Sequence, residues 1–204
     1  MILAALAAPL LIAALAFGVP GNRTRPRALL AGAAVHAAAV AAMLARPPEP
    51  LLDGALALDA AGALVLSTSS LLFLACAVYA QGYLRRRQDR DNRLFVGGLL
   101  LLLSALTAVS LAQHLGVLWV AVELTTLATA PLIYFNRNAR SLEAAWKYLL
   151  LCSLGIALAL LGTFFLALAG TGPGGPRSLL LADLAASGRA LEVPWVRGAF
   201  VFLL

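Results

Sequence analysis

Two ionisable side chains of opposite sign stand in consecutive apolar stretches of this sequence, and together they could carry a proton across a membrane. Glu123 is the ninth residue of an otherwise uncharged run over 115–135. Lys147 lies in the next run, 142–169, with Glu143 one helical turn before it. A carboxylate in hydrocarbon is costly unless a partner, water or a proton offsets it, so an intramembrane acid reads by default as a functional group. A lysine amine can take up and release a proton, which a guanidinium cannot.

Each candidate has a plainer reading beside the chemical one. Thr126 and Ala130 follow Glu123 at i+3 and i+7, which gives its helix a small, partly polar face suited to another helix or to water. Pro131 removes the hydrogen bond to the carbonyl of Leu127, and a freed carbonyl near a carboxylate can hold water or a cation. A structural, bonded or protonated glutamate is the alternative. Lys147 can serve as a transfer site, or it can form an interfacial i, i+4 pair with Glu143. Helical rise separates Glu123 and Lys147 by about 10 Å in depth, so a water-mediated link fits better than a direct bridge. His36 lies mid-span and reads first as a neutral, hydrogen-bonded side chain, with a proton relay as the alternative. Glu143 and His36 are therefore accessory candidates. His114 reads as solvated in a turn, and Asp59 as a helix N-cap.

The elements that must position these groups are membrane helices. The chain has 204 residues, 62% hydrophobic and 12% charged, and soluble domains carry about twice that charge. Runs of 18 or more apolar residues predict an all-α polytopic bundle, and the ten-residue alternation of a β-barrel is absent. Six complete spans are expected at 2–19, 28–45, 61–84, 94–112, 115–135 and 142–169, followed by the start of a seventh. Pro20 and Gly21, the Arg46–Pro50 stretch, the basic run at 85–93, Gln113 with His114, and 136–140 separate them.

Arginines cluster in the loops after spans one, three and five, which predicts those loops inside and the N-terminus outside; the bacterial inner membrane as the location is implied only by the resemblance described below. That clustering also argues against nucleic acid as the partner, despite the net charge of +6. The N-terminal segment does not read as a cleaved signal peptide, because its arginines follow the apolar stretch. Residues 170–196 read as an external loop with a short amphipathic helix over 178–185. The apolar stretch from Arg197 reads as the beginning of a helix cut short, within a single transmembrane domain over 1–204, and residues 1–204 alone are expected not to conduct ions. Cys76 and Cys152 fall inside spans without CxxC spacing and are expected to be buried and inert. No motif for a cofactor, metal or nucleotide is present, so no catalytic, metal or cofactor-binding residue is expected.

The stretch WVAVELTTLA at 119–128, followed by SLEAAWKYLLLCSLGIALALLG at 141–162, resembles the antiporter-like membrane subunits. These occur in respiratory complex I, multisubunit cation/proton antiporters and group 4 hydrogenases. The second stretch is most similar to the hydrogenase 4 component F branch. Asp59 with the Ala-Ala-Gly that follows it, and the Tyr79–Leu84 stretch with its basic loop, also fit. The resemblance implies that Glu123 is the family's fifth-helix glutamate and Lys147 its sixth-helix lysine. It also implies proton or sodium translocation driven by redox chemistry in other membrane and peripheral subunits, with no redox site in this chain. Family members continue through many more helices, including a seventh-helix lysine modulated by the glutamate. Two other classes compete: a membrane scaffold or non-functional fragment, and a small-metabolite exporter.

Overall fold

Apolar runs interrupted by proline, arginine and asparagine give the chain its helices. The structure is a computed structural model describing residues 1–18, 21–88, 90–172, 175–176, 178–187 and 191–203. Its helices are α1 (Ile2–Gly18), α2 (Arg25–Ala45), α3 (Ala60–Arg86), α4 (Arg93–Leu111), α5 (Leu115–Ile133), α6 (Ala139–Ala169), α7 (Leu181–Ala186) and α8 (Val193–Leu203). Val19, Pro20, Asp89, Arg177, Arg189 and Leu204, used in the sequence reading, lie outside the described residues. So do other parts of the expected external loop.

Local chemistry sets the boundaries. Asp59 caps α3 by accepting the Gly62 N–H at 2.7 Å, as expected. α2 begins at Arg25, three residues before the expected start, because Pro26 suits the first turn and the Thr24 carbonyl accepts from Arg27 and Ala28. A reciprocal capping box between Asn138 and Ser141 starts α6 at Ala139 instead of residue 142. Pro131 sits in the last turn of α5, which tightens into a 3-10 turn at Tyr134–Asn136 before Arg137 turns left-handed at φ 49°.

Five helices, α2 to α6, are long and apolar enough to cross a membrane, whereas α1 and α8 have 17 and 11 residues. The chain is thus an all-α, multi-pass membrane bundle. α4 is the most enclosed of the five, packed between α1 and α5, while α2 joins α1 to α3. A glycine faces α5 on α4: a Cβ on Gly98 would lie 3.0 Å from a Leu132 methyl and 3.3 Å from the Ala128 carbonyl oxygen. α6 packs on α5 and on α8, the latter through Phe165 against Trp195 and Phe202, with ring centroids 5.7 and 5.6 Å apart.

The end of the bundle opposite the arginine loops is closed by backbone pairing. Leu51 and Leu56 exchange hydrogen bonds across a tight turn, and Gln113 N–H donates to Ala55 at 2.8 Å. The helix expected over 178–185 is shorter, beginning only at Leu181. The residues before it are engaged with the α4–α5 turn: Leu115 N–H donates to Leu179, and Leu181 N–H to Gln113. α8 starts at Val193, four residues before Arg197, where the helix was expected to begin.

Candidate proton-pathway site

Glu123 is the ninth of the nineteen residues of α5, within about 2 Å of the helix midpoint by helical rise. Its Oε2 is buried and has no hydrogen-bond partner among the described residues. Buried carboxylate oxygens are normally bonded, so an orphan marks a place where water, a proton or a group from another chain belongs. The residue beside it behaves as the sequence suggests. Thr126 is buried, and its hydroxyl donates to the Glu123 carbonyl at 2.7 Å, leaving the side-chain carboxyl untouched.

The register of α5 on α6 locates Lys147 relative to Glu123. The Trp119 indole N–H donates to the Ile156 carbonyl at 2.8 Å, and the helices run antiparallel. Counting from that contact, Glu123 is level with Cys152, and Lys147 is about 8 Å further along the axis at 1.5 Å per residue. The structure does not bring the two together. Lys147 donates instead to Glu143 Oε1, one turn earlier on the same helix, and both side chains are exposed on the chain surface.

His36 joins three helices. It is fully buried, with Nδ1 3.1 Å from the Ser70 hydroxyl on α3 and Nε2 2.8 Å from the Thr107 hydroxyl on α4. Thr107 spends its proton on the Leu103 carbonyl at 2.8 Å, so it must accept from Nε2–H. Ser70 then donates to Nδ1, and one neutral tautomer satisfies both ring nitrogens. His114 is not simply solvated. It is half-buried, and its Nδ1 accepts the Gly116 N–H at 3.1 Å as the N-cap of α5. Cys76 is exposed on α3 and Cys152 is half-buried, so neither of the thiols expected to be buried is so. No group of three His, Cys, Asp or Glu that could hold a metal occurs among the described residues.

One cluster was not foreseen. Arg25 is buried at the start of α2, and its guanidinium donates to Asp91 at 2.6 Å, Asn22 at 3.1 Å and Asn92 at 3.3 Å. Asn22 also donates to the Arg90 carbonyl, and Asn92 to the Asn22 carbonyl, each at 2.8 Å. Arg90 reaches on to Asn136 at 2.7 Å. The three arginine-bearing loops are thereby tied at one end of the bundle. Desolvation works to raise the Asp91 carboxyl, but the Arg93 backbone N–H and the charges of Arg25 and Arg93 outweigh it and hold the group below its ordinary value. The signal in the sequence was an aspartate inside an arginine run, which is wasteful for a pure orientation signal.

Comparison with known proteins gives this geometry a context. No family model matches the chain. A curated protein, the hydrogenase-4 component F homolog of Methylacidiphilum infernorum, is 35% identical over 95 residues, covering 46% of this chain and 20% of the relative. Among solved structures, a chain of respiratory complex I from Thermus thermophilus superposes over 100% of this chain with a TM-score of 0.78 and 25% identity. The chain is similar to antiporter-like membrane subunits. The membrane-bound sulfane sulfur reductase, an archaeal respiratory membrane complex, shares the fold over 99% of this chain with a TM-score of 0.82 and 16% identity. The chain spans 42 and 43% of those two solved chains, and a fifth of the curated relative.

Proposed function

We propose that this chain is part of an ion-translocating subunit in a redox-driven bacterial inner-membrane complex, with its N-terminus outside and its arginine loops in the cytoplasm. The Glu123 Oε2, buried and without a partner among the described residues, carries the reading. A carboxyl at mid-membrane with one unsatisfied oxygen has the capacity to exchange a proton with water or with a basic group supplied by the rest of the protein. Lys147 is the proton-exchanging group toward the arginine-loop end, linked to Glu123 through water because no direct contact spans the gap. Glu143 holds the lysine amine between transfers. His36 acts as a structural clip, since both its nitrogens are already engaged. Electron transfer would belong to other subunits.

The reading is supported by the similarity to hydrogenase-4 component F and to a complex I chain. In the full-length protein, Glu123→Gln keeps the shape of the side chain but cannot exchange a proton at the carboxyl. Proton uptake by membrane vesicles energised with the complex's own electron donor should fall at least tenfold, with the complex still assembled. Unchanged pumping in an assembled Glu123→Gln complex would refute the assignment.

A further inference from the structure

The arginine-loop end of α3 carries a surface that the proton pathway does not use. Leu72, Cys76, Tyr79, Tyr83 and Arg86 recur at alternating spacings of four and three, so they form one stripe along the helix. The stripe is open: Leu72 is 63% and Tyr79 75% exposed, and a Cβ placed on Gly82 would meet nothing within 4 Å. Its lower part borders an apolar groove of about 300 Å³ between α3 and α4, with Leu29, Phe73, Leu99, Leu102 and Leu106 in its walls. Its upper part lines a second hollow of about 380 Å³, formed by Val78, Tyr79, Gly82, Tyr83 and Arg86. Tyr79 and Tyr83 stack at 6.4 Å, and the Arg87 guanidinium lies 5.8 Å from the Tyr83 ring.

We infer that this stripe seats one anionic phospholipid, its acyl chain in the α3–α4 groove and its phosphate against Arg86 and Arg87. The chemistry along the helix changes in the order that such a lipid requires. Leucines and a thiol line the tail region, two tyrosines stand at the depth favoured by interfacial aromatics, and arginines follow at headgroup level. The length agrees as well. Leu72 to Arg86 spans about 21 Å of helix, and one leaflet with its headgroups is about 20–22 Å thick. Charge selects the occupant further: no carboxylate among the described residues pairs with Arg86 or Arg87, while Asp91 is already bonded to Arg25. A protein helix would need its own acid at that level, and a zwitterionic lipid would bring a cation that cancels its phosphate, whereas an anionic lipid brings a net negative charge to the two arginines.

The test uses the full-length protein with whatever subunits accompany it, reconstituted into nanodiscs of nine parts phosphatidylcholine to one part phosphatidylglycerol and then re-extracted in mild detergent. Native mass spectrometry should find phosphatidylglycerol retained above its share of the bilayer. Each of Arg86→Gln and Arg87→Gln should lower that retention about fivefold, the worth of one basic residue at an anionic surface. Arg140→Gln, on the same end but off the stripe, should leave it unchanged. Equal retention in the double variant overturns the proposal. A second measurement does not depend on those variants. With Cys152→Ser, a photoreactive maleimide on Cys76 should form lipid adducts in native membranes, whereas an adduct to another polypeptide overturns the lipid assignment.

Discussion

Thr107→Val would test the His36 clip, because it removes one oxygen and almost nothing else. Valine keeps the volume of threonine but cannot accept the Nε2–H of His36, which is 2.8 Å from the Thr107 hydroxyl. The imidazole is 1% exposed, so no bulk water reaches the orphaned donor. Leaving a buried donor unsatisfied costs about 1–3 kcal/mol, while hydrogen bonds between membrane helices average about 0.6 kcal/mol and reach about 1.7. The ring can escape part of the penalty by changing tautomer and donating from Nδ1 to Ser70, which strands an acceptor instead. The expected loss is therefore about 1–2 kcal/mol, between those ranges. Thr107→Ser, which retains the oxygen, should recover most of it. In a His36→Phe background the donor is gone, so Thr107→Val should be nearly neutral. Reversible unfolding of the full-length protein in mixed micelles measures all four corners of the cycle. An equal cost for Thr107→Val with His36 and with Phe at position 36 would refute the clip, since it would mean that the hydroxyl matters only to its own helix.

Other consequences can be checked separately. Asp91 is held below its ordinary value of 3.8, so its ion pair with Arg25 stabilises the protein above that value and is lost as pH falls through the folded-state value; nearly half of its side chain is exposed, which limits the effect to about 1 kcal/mol. Acid titration of stability should be steeper for wild type than for Asp91→Asn below about pH 4, the ordinary carboxyl range, and matching slopes would contradict the bridge. Lys147→Ala and Glu143→Ala should each cost about 0.5 kcal/mol or less in stability, as an exposed i, i+4 pair does, but Lys147→Arg should impair pumping if the amine must release its proton. Full pumping by Lys147→Arg would leave the pair as a surface feature. Gly62→Ala should destabilise by about 1–3 kcal/mol, because a Cβ there would run into the Ser110 backbone carbonyl of α4, whereas Gly155→Ala, with open space around it, should be neutral or slightly stabilising in thermal melts. A phosphatase fused after Arg90 should be inactive and one fused within 170–177 active, with the reverse result overturning the orientation.

Helix class and most helix centres were legible because a membrane helix needs a long apolar run, and little else can break one. Asp59 was legible as a cap for the same local reason: a carboxylate directly before an apolar run finds the free N–H groups of the first turn. Helix starts were misread where the cap is a side-chain pair, as at Asn138 and Ser141, or where a charged residue is drawn inward, as at Arg25. The location of Glu123 at the helix midpoint could be read from residue counting, but its unpartnered oxygen could not, because partners arrive from distant segments. The same limit hid the α5–α6 register, set by the Trp119 indole on Ile156, although helical rise alone had already put Glu123 and Lys147 about 10 Å apart in depth. His36 could be read as a buried, bonded histidine, yet its two hydroxyl partners lie 34 and 71 residues away.

The Arg25 knot also bears on how the molecule is made. A chain inserted in order of synthesis releases α1 and α2 long before residues 91 and 92 exist. The same holds for α4, whose Ser104 hydroxyl grips the Leu6 carbonyl of α1 at 2.7 Å. α3 can pack on α2 as soon as it is made, but the partners of Arg25 and of the Leu6 carbonyl exist only once the start and middle of α4 have been translated. The arrival of α4 supplies both bonds at once, so the first hairpin reaches its final packing only when the fourth helix is in place.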